Sequence, residues 1–83
     1  MNIIKYPLAT EKSIRLMEAE NKLIFIVAEK ATKPQIKEAI EQLFDAKVTK
    51  VRTLHTNDNK KKAYVTFDDE SPAIDIATKL GLM

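Results

Sequence analysis

The sequence lacks several residue types, and each absence removes a class of structure or chemistry. It contains no cysteine, which excludes a disulfide framework, a thiolate metal site and a cysteine nucleophile. Its single glycine, Gly81, leaves no glycine-rich loop to cradle a phosphate. His55 is the only histidine, and the sequence supplies neither the orienting partner nor the nucleophile that a general base needs. We therefore expect no enzyme activity, no cofactor, no metal site and no small-molecule substrate.

Long apolar runs are also missing. A transmembrane helix needs about 20 predominantly apolar residues, and no stretch of the chain approaches that length. No basic segment precedes an apolar stretch either, so we expect neither membrane insertion nor a signal peptide. The 83 residues, 45% of them hydrophobic and 31% charged, are typical of a folded globular chain. At this length we expect one domain, residues 1–83, with a thin core.

The net charge of +2 conceals an uneven distribution along the chain. Residues 1–45 balance seven bases against seven acids, and residues 68–83 carry one base against the acids Asp68, Asp69, Glu70 and Asp75. Residues 46–67, hereafter the basic block, carry one acid, Asp58, against the bases Lys47, Lys50, Arg52, Lys60, Lys61 and Lys62. Such a block is the electrostatic footprint of a polyanion-binding surface, although lysine-rich turns are also common on solvated faces.

Three segments have the signatures of helices, namely residues 11–20, 33–44 and 72–80. Thr10 and Asn21 are suited to the two ends of the first. Thr32 and Gln35 have the spacing of a capping box at the start of the second. Ser71 is suited to cap the third helix, which has proline at its first position. The predicted core-facing residues are Ile14 and Met17; Ile36, Ala39, Ile40, Leu43 and Phe44; and Ala73, Ile76, Ala77 and Leu80.

Four segments are typical of strands: a short edge strand at Ile3 and Ile4, then residues 22–28, 47–56 and 61–67. The first is stopped by Pro7, which cannot donate to a ladder. The run from Leu23 to Val27 is apolar throughout, which indicates burial on both faces. The letters NDNK before residue 61 contain no glycine, so they favour a loop of three to five residues over a two-residue turn.

The order of these elements predicts the fold. Strand 22–28, helix 33–44 and strand 47–56 form a β-α-β unit with a right-handed crossover. Strand 61–67 follows a hairpin, so in a split β-α-β it lies between the other two strands and antiparallel to both. We therefore predict an α+β fold: an antiparallel sheet of about four strands with three helices, in a two- to three-layer sandwich. The less covered face of the sheet is expected to carry Lys50, Arg52, Lys62 and Tyr64.

This face favours nucleic acid as a partner. The basic block has five lysines to one arginine, and lysine contacts phosphate as a point charge without reading bases. Tyr64 either offers a ring for an unpaired base to stack on or packs against a neighbouring strand or the helix over 11–20. The sheet lacks the two or three aromatic residues of an RNA-recognition motif. A second class of function also fits: a small regulatory or oligomerisation domain of split β-α-β type whose lysines are merely solvated.

Four motifs occur in order along the chain: T-E-K at 10–12, A-x-K-x-x-I-K at 31–37, L-F-x-x-K-V at 43–48 and V-x-T-L at 51–54. As an ordered set, extending from Pro7 to about Leu80, they resemble the family of large-subunit ribosomal protein L-twenty-three. Bacterial members of that family have a long basic hairpin, and eukaryotic members have a basic N-terminal extension. We expect neither in this protein, so the resemblance is to the archaeal type.

The resemblance implies a structural constituent of the large ribosomal subunit, located on ribosomes in the cytoplasm. It implies binding of large-subunit rRNA beside the exit of the nascent-peptide tunnel, next to ribosomal protein L-twenty-nine. It also implies docking of the signal recognition particle, the translocon and, in bacteria, trigger factor, with Glu11 at the position of an acidic docking residue. The short hairpin argues against a role for this loop in the tunnel wall.

The expected rRNA contacts come from two sources. The family resemblance implies contacts at Lys12, Lys33, Lys37, Arg52, Thr53, Lys60, Lys61 and Lys62. The predicted sheet face adds Lys50 and Tyr64. The acidic residues at 68–70 and Asp75 are expected to face away from the RNA.

Overall fold

A computed structural model describes residues 3–81 of the chain. Its elements follow the predicted order: β1 (Ile4–Pro7), α1 (Glu11–Glu20), β2 (Lys22–Val27), α2 (Lys33–Phe44), β3 (Val48–His55), β4 (Lys61–Phe67) and α3 (Ala73–Lys79). From Glu11 onward, each predicted bound lies within one residue of the observed one. No helix in the described part of the chain is long and apolar enough to cross a membrane.

The strands form one antiparallel sheet in the order β1-β2-β4-β3. β4 lies between β2 and β3 and runs antiparallel to both, which confirms the predicted split β-α-β arrangement. Residues 56–60 join β3 to β4, in agreement with the predicted loop length. In this loop the Thr56 N–H donates to the Lys60 carbonyl oxygen at 2.9 Å, and Asn59 takes the left-handed conformation with φ of 60°.

All three helices lie on one face of the sheet, so the fold has two layers. Met17 of α1, Ile40 of α2 and Ile76 of α3 belong to a single core. The strands contribute alternate residues to that core: Leu23, Phe25, Val27, Val48, Ala63, Val65 and Phe67. Between them, on the opposite face of β2, Ile24 and Ile26 are also buried, as the continuous apolar run predicts. The paired strands β2 and β4 therefore lie at the centre of the sheet, on its helical face and on the opposite face.

The ends of α1 and α2 are capped as the sequence predicts. Thr10 and Thr32 both accept a hydrogen bond from a backbone N–H three residues ahead, and each N–H partner returns a side-chain bond in a capping box. In α1 that partner is Ser13, which is buried. Asn21 ends α1 in the left-handed conformation, with φ of 56°. Because these signals lie within three or four residues of the helix end, they can be recognised without the tertiary structure.

The prediction that Ser71 caps α3 is wrong. The Ser71 hydroxyl instead accepts a hydrogen bond from the Lys47 N–H at 2.9 Å, and the cap residue Pro72 makes no side-chain bond. Asn21, which is 52 residues from Ala73 in the sequence, caps α3 in place of Ser71. Its Oδ1 accepts a hydrogen bond from the Ala73 N–H at 2.6 Å. The Asn21 amide also donates to the carbonyl oxygens of Phe67 and Asp68 at 3.0 and 3.1 Å. One side chain thus joins the end of α1, the end of β4 and the start of α3.

Two of the predicted core-facing residues are exposed instead. Leu43 is 62% exposed, because the last turn of α2 directs Phe44 onto the sheet, where its ring stacks on Phe25 with centroids 6.1 Å apart. Ile14 is 37% exposed, because α1 buries Ser13 and Met17 against the sheet.

Candidate nucleic-acid interface

The sheet face opposite the helices carries three cross-strand rows of side chains from β3, β4 and β2. In order along the strands, the rows are Lys50–Thr66–Lys22, Arg52–Tyr64–Ile24 and Leu54–Lys62–Ile26. Successive rows on one face lie about 6–7 Å apart, because side chains return to the same face at every second residue. We call this surface the open face. It brings together Lys50, Arg52, Lys62 and Tyr64, as the sequence predicts.

A groove of about 280 Å³ crosses the open face. Its lining residues are Lys12, Lys22, Lys50, Arg52, Leu54, Tyr64 and Thr66. Tyr64 is half-buried on the central strand, and Leu54 is 51% exposed on the edge strand. Lys12 reaches the groove from the first turn of α1. Among the described residues, the groove therefore combines an aromatic ring and an aliphatic side chain with four cationic groups and no acid.

Three of the groove cations have no acidic partner in the described part of the chain. Within residues 3–81, the ion pairs shorter than 4.0 Å join Glu11 to Arg15, Glu20 to Lys22, and Asp58 to Lys60. Lys12, Lys50 and Arg52 belong to none of them. Because like charges repel when they are gathered in one place, an arrangement of this kind is stabilised by an anion that binds between them. The groove is thus suited to a phosphate-bearing ligand.

The three consecutive lysines of the sequence have three different environments. Lys62 lies on the open face, in the row with Leu54 and Ile26. Lys61 alternates to the helical face, where its Nζ donates to the Ala31 carbonyl oxygen at 2.6 Å. Lys60 lies in the hairpin and pairs with Asp58 at 3.7 Å. Only Lys62 is placed to contact the same ligand as Lys50 and Arg52.

The hairpin holds Asp58 as a carboxylate. The Thr56 hydroxyl donates to the carboxylate of Asp58, and this hydrogen bond is the main cause of a pKa for Asp58 below its usual value. Lys60 and Lys62 lower that pKa further by charge attraction. The pKa of Lys60 is raised, chiefly by the Tyr6 hydroxyl and then by Asp58. The hairpin tip is therefore an internally neutralised pair, and it adds less positive charge to the surface than its sequence suggests.

Three further predicted rRNA contacts, and the predicted docking residue Glu11, are not brought to the groove. Lys33 and Lys37 are exposed on the first two turns of α2, in the helical layer. Thr53 pairs with the core residue Ala63, so it points to the helical face. Glu11 is exposed in the first turn of α1 and pairs with Arg15 at 3.0 Å. These four positions form surfaces separate from the open face.

Three groove residues, Lys22, Leu54 and Thr66, are not among the contact residues predicted from the sequence. Lys22 and Thr66 are directly opposite one another on β2 and β4. The strand register could have identified these residues. Once the hairpin and the core face are assigned, alternation along β2 and β4 decides which side chains share the opposite face. The acidic turn between β4 and α3 lies at the end of β3 away from the hairpin, where the Asp68 N–H donates to the Lys47 carbonyl oxygen.

Comparison with known proteins identifies relatives over almost the whole chain. A family model described as "Ribosomal protein L23" matches residues 2–73. A Methanospirillum hungatei protein named "Large ribosomal subunit protein uL23" is 51% identical over 98% of this chain and 99% of its own length. Proteins of the same name from Methanococcus vannielii and Methanococcus maripaludis are 48% and 46% identical, over 98% of this chain and 94% of theirs.

Proposed function

The chain belongs to the ribosomal protein L23 family, and we propose that its open face binds large-subunit rRNA. Membership makes it a structural, non-enzymatic constituent of the large ribosomal subunit, of the type found in archaea. The observation that carries the proposal is the groove, in which Lys12, Lys50 and Arg52 converge and have no acidic partner among residues 3–81. The alternative of a regulatory domain with solvated lysines does not account for that convergence or for the relatives.

The proposed mechanism is neutralisation of phosphates on a surface of fixed shape. Lysines and an arginine on rigid strands contact successive phosphates, and binding releases the counterions that those phosphates held. Lys33 and Lys37 are proposed as a second contact, on the helical layer, to a different segment of the RNA. The contact at the hairpin is smaller than its three consecutive lysines suggest, because Lys60 and Lys61 have partners within the protein.

We propose further that the subunit places this chain beside the exit of the nascent-peptide tunnel, next to ribosomal protein L-twenty-nine. Glu11 and Ile14 are exposed one turn apart on α1, in the helical layer rather than on the open face. A binding factor such as the signal recognition particle or the translocon could therefore contact α1 while RNA occupies the sheet. The five-residue loop at 56–60 is too short to extend far into a tunnel.

Sedimentation of ribosomes tests the rRNA proposal. A tagged chain carrying Lys50→Glu is compared with one carrying Lys79→Glu, which makes the same charge change on α3, away from the groove. We expect the Lys79→Glu chain to remain with large subunits through a high-salt wash and the Lys50→Glu chain to be released. Equal retention of the two chains contradicts the assignment of the open face to RNA.

A further inference from the structure

We propose that the groove on the open face is a subsite for one unpaired RNA nucleotide, with its base stacked on Tyr64 and its phosphate held by Lys50. The proposal rests on the proposed function, and it specifies what kind of RNA element the face takes. It follows from the arrangement of the rows, the size of the groove and the distribution of charge.

The rows give the groove an apolar zone around Tyr64 and a polar zone around Thr66, with cations in both. Tyr64 lies between Arg52 and Ile24, and the neighbouring row on one side contains the exposed Leu54 and also Lys62. The neighbouring row on the other side places Lys50 and Lys22 on either side of Thr66, and of these two lysines Lys22 is already paired with Glu20 at 3.1 Å. At a row spacing of about 6–7 Å, one nucleotide can place its base over the first zone and its phosphate over the second. Arg52 is directly opposite Tyr64 on β3, from where its guanidinium can lie beside the base.

The groove suits a single base rather than a duplex. Stacking on Tyr64 requires the face of a base, and the bases of a helix use both faces to stack on their neighbours. A volume of about 280 Å³ admits one extruded base but not a helix. Apart from Arg52 and Thr66, the polar groups of the groove are lysines, which contact phosphate rather than read bases, so we infer that it tolerates different bases.

Tyrosine fluorescence offers a direct test because the chain has no tryptophan and two tyrosines, Tyr6 and Tyr64. In a Tyr6→Phe chain, Tyr64 is the only fluorophore. The probes are a ten-nucleotide oligoadenylate and an abasic RNA backbone of the same length. We expect both to bind with salt-dependent affinity, and only the oligoadenylate to quench the fluorescence. Equal quenching by both, or by neither, overturns the base subsite.

Substitution of Tyr64 gives a second readout. We expect Tyr64→Leu to lower affinity for the oligoadenylate about 5- to 150-fold, the loss of one base–aromatic stack, and to leave affinity for the abasic backbone unchanged. Tyr64→Phe keeps the ring and should bind oligoadenylate as the unaltered chain does. A loss with Tyr64→Phe equal to that with Tyr64→Leu contradicts stacking.

Two further probes separate failure of the subsite from failure of the proposed function. A decamer of glutamate carries negative charge without bases. If it binds as tightly as the oligoadenylate does, both proposals are overturned in favour of an acidic peptide as the ligand. The second probe is a twelve-base-pair RNA duplex. If it binds as tightly as the oligoadenylate does, without quenching the tyrosine fluorescence, the subsite is overturned and rRNA binding still stands. Absence of salt-dependent binding to every RNA probe overturns the proposed function itself.

Discussion

Lys61 extends from β4 to the segment between β2 and α2, where its Nζ donates to the Ala31 carbonyl oxygen at 2.6 Å. A second, longer bond of 3.5 Å joins the same atom to the Glu29 carbonyl oxygen. Its neighbour Lys62 lies on the opposite face of the same strand. Two adjacent lysines thus have different roles, one in the protein and one on its surface.

The first prediction separates these two lysines. Lys62→Ala should reduce the slope of log K against log salt for rRNA binding by about 0.7–1, the loss of one phosphate contact, with the stability unchanged. Lys61→Ala should lower the free energy of unfolding by about 1–2 kcal/mol, because a charged hydrogen bond is lost, and change the slope less. Salt titrations and urea unfolding measure the two effects. Equal slope changes for both variants contradict the assignment.

The triple replacement of residues 60–62 should then reduce the slope by about one unit rather than three.

The second prediction concerns the side chain of Asn21. Asn21→Gly keeps the left-handed backbone but removes the bonds to Ala73, Phe67 and Asp68, so we expect a loss of about 2–4 kcal/mol in the free energy of unfolding. Asp45→Gly is the matched control, because Asp45 ends α2 with φ of 50°. It should be neutral or slightly stabilising, since glycine is the least strained residue there. Similar losses for both variants would falsify the assigned role of Asn21.

The third prediction distinguishes the two side chains at the start of α3. Ser71→Ala removes the acceptor for the Lys47 N–H and should speed hydrogen exchange of that amide, while the Ala73 amide stays protected by Asn21. Asn21→Gly should have the reverse effect. Hydrogen exchange followed by NMR measures both amides in one experiment. Faster exchange at Ala73 in Ser71→Ala would restore Ser71 as the cap.

The fourth prediction is a dependence of the hairpin on pH. Because the pKa of Asp58 is lowered in the folded chain, its carboxylate stabilises the hairpin above the unfolded pKa of about 3.9. That contribution is lost as the pH falls through the lower, folded pKa. NMR shifts of Thr56 and Lys60 should therefore hold steady near pH 6 and change at strongly acidic pH. In Asp58→Asn the acid transition should disappear, and its persistence there assigns it to another group.

The fifth prediction concerns factor docking. Glu11→Ala should weaken binding of the signal recognition particle to ribosomes that carry the variant, and rRNA affinity should remain unchanged, because Glu11 lies outside the groove. Glu18→Ala, on the same helix and also exposed, is the control for a general loss of negative charge. Binding of the particle is measured on purified ribosomes. Loss of rRNA affinity together with docking points to misfolding of α1 and contradicts a separate docking role.

The element order was predictable because its signals are local. Capping boxes at Thr10 and Thr32 use bonds that span three residues, and the alternation of β4 identifies its core face without knowledge of any partner strand. The strand order also followed, since a right-handed crossover and a short hairpin leave one arrangement for a split β-α-β. The prediction for Leu43 was wrong because periodicity identifies the apolar side of a helix but not where along the helix its contact with the sheet ends.

The candidate site was predictable only in part. Lys50, Arg52, Lys62 and Tyr64 follow from alternation on two paired strands. Charge counting treated the basic block as uniform, and it had no means of detecting that Lys61 is bonded to backbone carbonyls and that Lys60 is paired in the hairpin.

The amino-acid sequence by itself determined the helices, the strands, the two-sided burial of β2 and a basic block between a neutral segment and an acidic one. These properties depend on residue type and on spacing within a few positions. The tertiary structure alone decided which cations are free, because that depends on atoms brought together from distant segments. It placed Lys12 and Lys22 beside Tyr64, Lys61 against Ala31, and Asn21 at the start of a helix 52 residues away. The open face is the product of those long-range contacts.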